Sequence, residues 1–176
     1  MRVLVTGSSN PTGRALVEAL LQDGHTVRIF GVDAEVGASF GGRVQWHPGS
    51  LVTAGSIEPA TAEREAVVHA APLDAPRKDK TQHAVYIERG TMYTRYAAER
   101  EQVDHFIHIA PAVGAQGRFA AAHAAAITTV EQTRGSVHWK VLHDDGAATV
   151  EHVLAALREG GRLGKQPGRE TDAVTI

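Results

Sequence analysis

The first 33 residues constrain the fold more than any other part of the chain. Residues 2–6, Arg-Val-Leu-Val-Thr, form a short apolar run that reads as a strand. Gly7-Ser8-Ser9-Asn10-Pro11-Thr12-Gly13 follows as a tight turn, and Ala15, Leu16, Ala19 and Leu20 then recur at helical spacing. Val27-Arg28-Ile29-Phe30 makes a second strand. Strand, glycine-bearing turn, helix and strand stand in the order that a dinucleotide-binding βαβ unit requires.

MRVLVTG, with Gly13 six residues after Gly7 and then LLQDGHTVRIF, resembles the amino terminus of the extended short-chain dehydrogenase/reductase family, most of all its nucleotide-sugar epimerase and dehydratase branch. The resemblance implies an α/β fold: a single Rossmann-type, doubly wound parallel sheet in the order 3-2-1-4-5-6, with a possible seventh strand. Residues 1–176 would then be one NAD(P)-binding domain. The family turn is TGxxGxxG, with backbone N–H groups and the helix amino end facing a pyrophosphate. Thr6, Gly7 and Gly13 match it, but the middle glycine is Asn10, and Pro11 has no N–H to offer. Asparagine tolerates the left-handed backbone region, so the turn can form, with a side chain expected where phosphates would approach. The plainer alternative is a strand–turn–helix junction with proline starting the helix.

Other family positions are altered as well. The acid that meets the ribose at the end of the second strand is Gly31 here, and Asp33 reaches a ribose only if the next loop folds back. No arginine follows that strand to meet a 2′-phosphate, so NAD is favoured over NADP, and loss of binding altogether stays open. The Gly-Asp-Leu string is Gly49-Ser50-Leu51, and Ala66-Val67-Val68-His69-Ala70-Ala71 resembles the "VVHxAA" floor of the nicotinamide site. His69 reads there as a structural strand-end residue. The cofactor contacts so implied are Gly7, Ser8, Ser9, Asn10, Thr12, Gly13, Asp33, Ser50, Leu51, Ala70 and Ala71.

The chemistry-bearing positions depart further. Family members end the fifth strand in serines and carry a Tyr-xxx-Lys pair on the next helix, the tyrosine moving a proton. Residues 104–109 read as that strand, but Ala110-Pro111-Ala112 ends it, and no Tyr-xxx-Lys occurs in the chain. Phe119-Ala-Ala-Ala-His123 looks like the pair with both functional groups replaced, at the start of a helix over 119–134. His123 is the one catalytic candidate. Against it stands simple packing, since Phe119, His123, Ile127 and Val130 share a face.

Between these landmarks, Ala34–Gly42 reads as a glycine-rich loop, residues 43–47 as the third strand, and 53–65 as a weak helix interrupted at Pro59. Residues 72–80 form a polar connection containing Arg77, Lys78 and Lys80. The helix over 82–102 carries Val85, Met92 and Tyr96 at near-heptad spacing, continued by Val103. Its Gly90-Thr91, with Glu88 near the usual asparagine, resembles the family's "NxxGT" helix, which implies a homodimer through 82–102; otherwise the helix simply covers the sheet. Tyr93 and Tyr96 read as core or interface.

Residues 137–142 are a sixth strand, after which HDDGAATVEHVLAAL resembles the family segment that follows the substrate-binding lobe. The lobe is therefore expected to be missing. Asp144 and Asp145 beside His143 could suggest a metal, but adjacent acids at such a turn more often cap the helix. Residues 160–171 are expected to be mobile and 173–176 to form a short edge strand.

Composition limits the partners. With 43% hydrophobic and 22% charged residues the chain is ordinary for a globular domain, and its net charge of −2 gives no reason to expect nucleic acid or an anionic membrane. It has no cysteine, which excludes disulfides and thiol catalysis and fits a reducing compartment. Met1 leads straight into a strand and no apolar run approaches membrane-spanning length, so a cytoplasmic location is expected. Three functions fit: a non-catalytic nucleotide-binding or regulatory relative, a minimal NAD(P)-dependent epimerase, dehydratase or reductase, and an enzyme reusing the scaffold for non-redox acid–base chemistry with histidines.

Overall fold

The structure is a computed structural model that describes residues 1–74, 79–115 and 117–160. Six strands, β1 (Arg2–Thr6), β2 (Thr26–Gly31), β3 (Gln45–Pro48), β4 (Ala66–His69), β5 (His105–Ala110) and β6 (His138–His143), form one sheet in the order β3-β2-β1-β4-β5-β6. Every pairing is parallel. The order reverses between β1 and β4, the place where open α/β sheets bind ligands. The expected Rossmann-type topology is the observed one.

Period-two alternation divides the core. Val3 and Val5 pack on one face with Leu16, Val17 and Leu20 of α1 (Pro11–Gln22) and Val153 and Leu157 of α6 (Ala147–Gly160). Leu4 faces the other way, toward Ala97 and Ala98 of α4 (Lys80–Arg100) and Val130 of α5 (Ala120–Glu131). Each fully buried Leu or Val contributes roughly 1.5–3 kcal/mol. Both faces of β1 are covered, and its carboxyl end is fixed from two sides.

Several local expectations are corrected. Residues 34–42 are not all loop: α2 (Ala34–Ala38) forms a short helix, with the Asp33 carboxylate accepting from the Glu35 N–H at 2.9 Å. Gly37 sits inside it because Trp46 lies on top; an added Cβ would be 2.8 Å from the Trp46 Cβ. The third strand is 45–48 rather than 43–47. The helix expected over 53–65 shrinks to α3 (Glu58–Thr61), with Pro59 in its first turn, where no backbone hydrogen bond is lost.

Helix α4 covers the sheet with a face other than the near-heptad stripe. His83, Tyr86, Ile87, Gly90, Thr91, Thr94, Ala97 and Ala98 are buried, whereas Val85 and Met92 are half-buried and Tyr96 is 50% exposed. Val103 is buried, but beyond the helix end. Between β6 and α6 only residues 144–146 intervene, so no lobe is inserted there. Arg77, Lys78, most of the 160–171 tail and the edge strand expected at 173–176 lie outside the described residues. Among the described residues no helix is long and apolar enough to cross a membrane.

Candidate functional site

The turn after β1 is closed by backbone meeting backbone. Gly7 has φ +79°, and a Cβ there would lie 2.5 Å from the Ala70 carbonyl carbon at the end of β4. At Gly13 a Cβ would be 2.1 Å from the Gly7 carbonyl oxygen. Only glycine fits either position, so the first turn of α1 sits directly on the strand ends.

Asn10 behaves differently from the expectation. Its backbone is extended (φ −85°, ψ 160°), so left-handed tolerance plays no part. It caps α1: its Oδ1 accepts from the Gly13 N–H at 2.7 Å, while Nδ2 donates to the Ala70 carbonyl and to Asp74 Oδ1, both at 3.0 Å. The side chain is buried inward rather than standing where phosphates approach, and Pro11 occupies the first helical position, where a missing N–H costs nothing.

A cavity of about 140 Å³ opens beside this turn. Gly7, Ser8 and Ser9 form one wall; Ile29, Phe30, Gly31, Val32 and Asp33 form a second; Trp46, Ser50, Leu51, Asp74 and Tyr86 complete it. Of the expected contacts, Gly7, Ser8, Ser9, Asp33, Ser50 and Leu51 line the cavity. Asn10 and Gly13 build the turn instead, Ala70 and Ala71 are buried against it, and the Thr12 hydroxyl donates to Asp144 at 3.0 Å. Asp33 reaches the cavity from the α2 cap position, without any loop folding back. The apolar, partly aromatic walls fit the adenosine half of a dinucleotide. Asp74 lines the same cavity and accepts from the Ser9 hydroxyl of the turn.

A second, wider cavity of about 450 Å³ lies over the carboxyl ends of β4, β5 and β6. Leu73, Asp74, His83, Pro111, Ala112, Arg118, Phe119, His123 and Asp144 line it. The Phe119 and His83 rings meet edge to face at 4.4 Å, and the Arg118 guanidinium lies 5.0 Å from the Phe119 ring centre. His123 is 4% exposed, and its Nδ1 has no hydrogen-bond partner among the described residues. Burial, with His83 adding to it, pushes its pKa down, so the ring is neutral near pH 7.

Beneath this cavity His69 is fully tied in. Its Nδ1 meets Thr6 Oγ1 at 2.7 Å and its Nε2 meets Thr91 Oγ1 at 3.1 Å, and burial holds its pKa well below the ordinary value. His143 bonds through Nδ1 to the Pro111 carbonyl at 3.0 Å. Asp144 accepts from the Thr149 hydroxyl and the Gly146 N–H, and Asp145 from the Thr149 hydroxyl, so the two acids tie the turn before α6 to its first turn through Thr149 and not by accepting helix N–H groups as caps. Among the described residues no three His, Cys, Asp or Glu side chains are grouped to hold a metal. Asp74 and Tyr86 escaped the sequence reading; the position of Asp74, four residues after Ala70, was the available signal.

A model of the NAD(P)H-binding family matches residues 7–145. No curated protein matches the chain. Among solved structures, WbmG of Bordetella bronchiseptica in complex with NAD is 21% identical, with a TM-score of 0.65 over 79% of this chain and 52% of that one. A short-chain dehydrogenase/reductase superfamily protein of Agrobacterium tumefaciens with bound NAD gives 22% identity and a TM-score of 0.68, over 81% of this chain and 48% of its own. A Bacillus halodurans protein assigned as an NAD-dependent epimerase/dehydratase gives 23% and 0.67, over 81% and 69%. The chain thus spans about half the length of the Bordetella and Agrobacterium proteins. At these identities the structures establish the shared fold, and the match over 7–145 establishes the family: the chain belongs to the NAD(P)H-binding family of Rossmann-fold proteins.

Proposed function

We propose that this chain binds an adenine nucleotide, NAD in preference to NADP, as a non-catalytic or regulatory member of its family. The observation that carries the reading is the preserved cavity between the Gly7–Gly13 turn and the end of β2. Ser8 and Ser9 would hold the phosphate side, Asp33 the ribose, and Phe30, Trp46 and Leu51 the base. No described arginine lines that cavity to favour a 2′-phosphate.

A nicotinamide cofactor supplies or accepts the hydride when bound, and the accompanying proton is left to the protein. In the cavity over β4 to β6, Phe119 has no exchangeable proton, and neither Pro111 nor Ala112 has a side-chain donor. This favours a binding role over a minimal epimerase, dehydratase or reductase. A second reading draws on His83 and His123, which line the same cavity and would serve non-redox acid–base chemistry. The exposed Tyr96 side of α4 is where a homodimer would form.

A thermal-shift panel of NAD, NADP, their reduced forms and nucleotide sugars tests the reading. Stabilisation by NAD above NADP is expected; no shift with any nucleotide would overturn it.

A further inference from the structure

The donors of the phosphate turn are already engaged by the chain's own carboxylates. Asp74 lines both cavities at the point where they meet. Its Oδ1 accepts from the Ser9 hydroxyl and from Asn10 Nδ2, both at 3.0 Å, and its Oδ2 accepts from the Tyr86 hydroxyl at 2.7 Å. On the other side of the turn, Asp144 accepts from the Thr12 hydroxyl at 3.0 and 3.2 Å and from the Thr149 hydroxyl at 3.1 Å. Three side-chain donors from residues 9–12 therefore point at carboxylates. None of the ion pairs among the described residues includes Asp74 or Asp144.

We propose that Asp74 is the specificity-determining residue of this nucleotide site, its carboxylate setting the phosphate side against diphosphates while leaving the adenosine side open. Asp144 adds the same sign of charge from across the turn. Negative charge at the amino end of α1 is favourable, and in the free protein these two acids provide it. An incoming diphosphate must take the same donors, and it meets a like charge on a half-exposed carboxylate that solvent and salt can reach. Adenosine, being uncharged, meets no such opposition. The inference rests on the nucleotide reading above and names what limits it.

Calorimetric titration of the full chain with adenosine, ADP and NAD tests this in the wild type, Asp74→Asn and Tyr86→Phe. Asparagine keeps a carbonyl oxygen for Ser9 and Asn10, removes the charge, and turns an amide N–H toward the Tyr86 hydroxyl, which can accept it. Asp74→Asn should tighten ADP and NAD by at least about fivefold and leave adenosine within about twofold. Tyr86→Phe, which keeps the charge, should not tighten either. In the wild type, ADP affinity should rise as salt screens the repulsion, opposite to the usual behaviour of a cationic phosphate site. An unchanged ADP-to-adenosine ratio in Asp74→Asn would overturn the inference while the nucleotide reading stands. So would an affinity for ADP that falls with salt, a result that needs no variant to fold. Absence of adenosine binding in wild type and variant alike would overturn both.

Discussion

The rings of His69 and His108 lie 5.4 Å apart on adjacent strands, yet only His69 has hydrogen-bond partners. Both nitrogens of His108 are buried without a partner among the described residues, and burial, with His123 and His143 adding to it, takes its pKa down to about 3. A buried polar group left unpaired costs about 1–3 kcal/mol.

Acid should therefore unfold this protein through its buried histidines. Their folded-state pKa values lie below the unfolded value, so the unfolded chain binds more protons as pH falls. The stability they contribute is complete above the ordinary histidine value of 6.5 and is lost between there and about 3 for His108. The slope is up to about 1.4 kcal/mol per pH unit for each such histidine. His108→Leu should raise the midpoint of thermal unfolding and flatten this acid limb. An unchanged slope would show that other groups carry it.

The turn should tolerate no side chain at Gly13. A Cβ there meets the Gly7 carbonyl oxygen at 2.1 Å, and the contact is backbone, which cannot rotate away. Gly13→Ala should cost about 1–3 kcal/mol in denaturant unfolding and abolish any nucleotide-induced shift in melting temperature. Retention of both at wild-type level would mean that the helix start moves freely.

The turn was legible because its glycines are imposed by close backbone approach, and such demands leave a mark in the sequence. The strand order was what the family resemblance of that stretch implied, and the sheet has it. Helix α2 was hidden because Gly37 looked like a loop residue, when it is there to admit Trp46. On α4 the near-heptad apolar stripe is not the buried face, and the buried face includes His83, Thr91 and Thr94, which hydropathy alone does not mark. Asp74 was illegible for another reason: its partners Ser9 and Asn10 lie 65 and 64 residues away, and only the fold brings them together.

Restoring the ribose and adenine acids should tighten NAD. A Cβ at Gly31 meets nothing within 4 Å, so Gly31→Asp fits, and Ser50→Asp returns the second carboxylate. Each regained hydrogen bond is worth about 1 kcal/mol, or roughly fivefold in affinity. Asn10→Gly should add nothing, because Asn10 is a cap and a tether to Ala70 rather than an obstruction. Tightening by Asn10→Gly alone, measured by titration, would contradict that placement.

The α4 surface should carry a two-fold contact. Tyr96 is 50% exposed with Arg95 lying 4.4 Å from its ring centre, and Val85 and Met92 are half-buried along the same helix. Light scattering should show a dimer at tens of micromolar, converted to monomer by Tyr96→Glu. A monomer unaffected by that change would remove the interface.

Ordinary hydride transfer should be absent. A positioned acid or base accelerates the accompanying proton transfer by typically 10²–10⁴-fold, and the residues over β4 to β6 offer few candidates. Phe119, which the family resemblance sets at the first position of the pair, packs edge to face on His83. His123, which the resemblance sets at the second, is held neutral by burial, so near pH 7 it can accept a proton but hardly donate one. With sugar nucleotides, ketones or quinones, purified protein should leave the absorbance of reduced nicotinamide unchanged. Turnover abolished by His123→Ala would make His123 the acid–base group and the chain an enzyme. Turnover that survives His123→Ala would place that group elsewhere in the cavity, with His83 the next residue to replace.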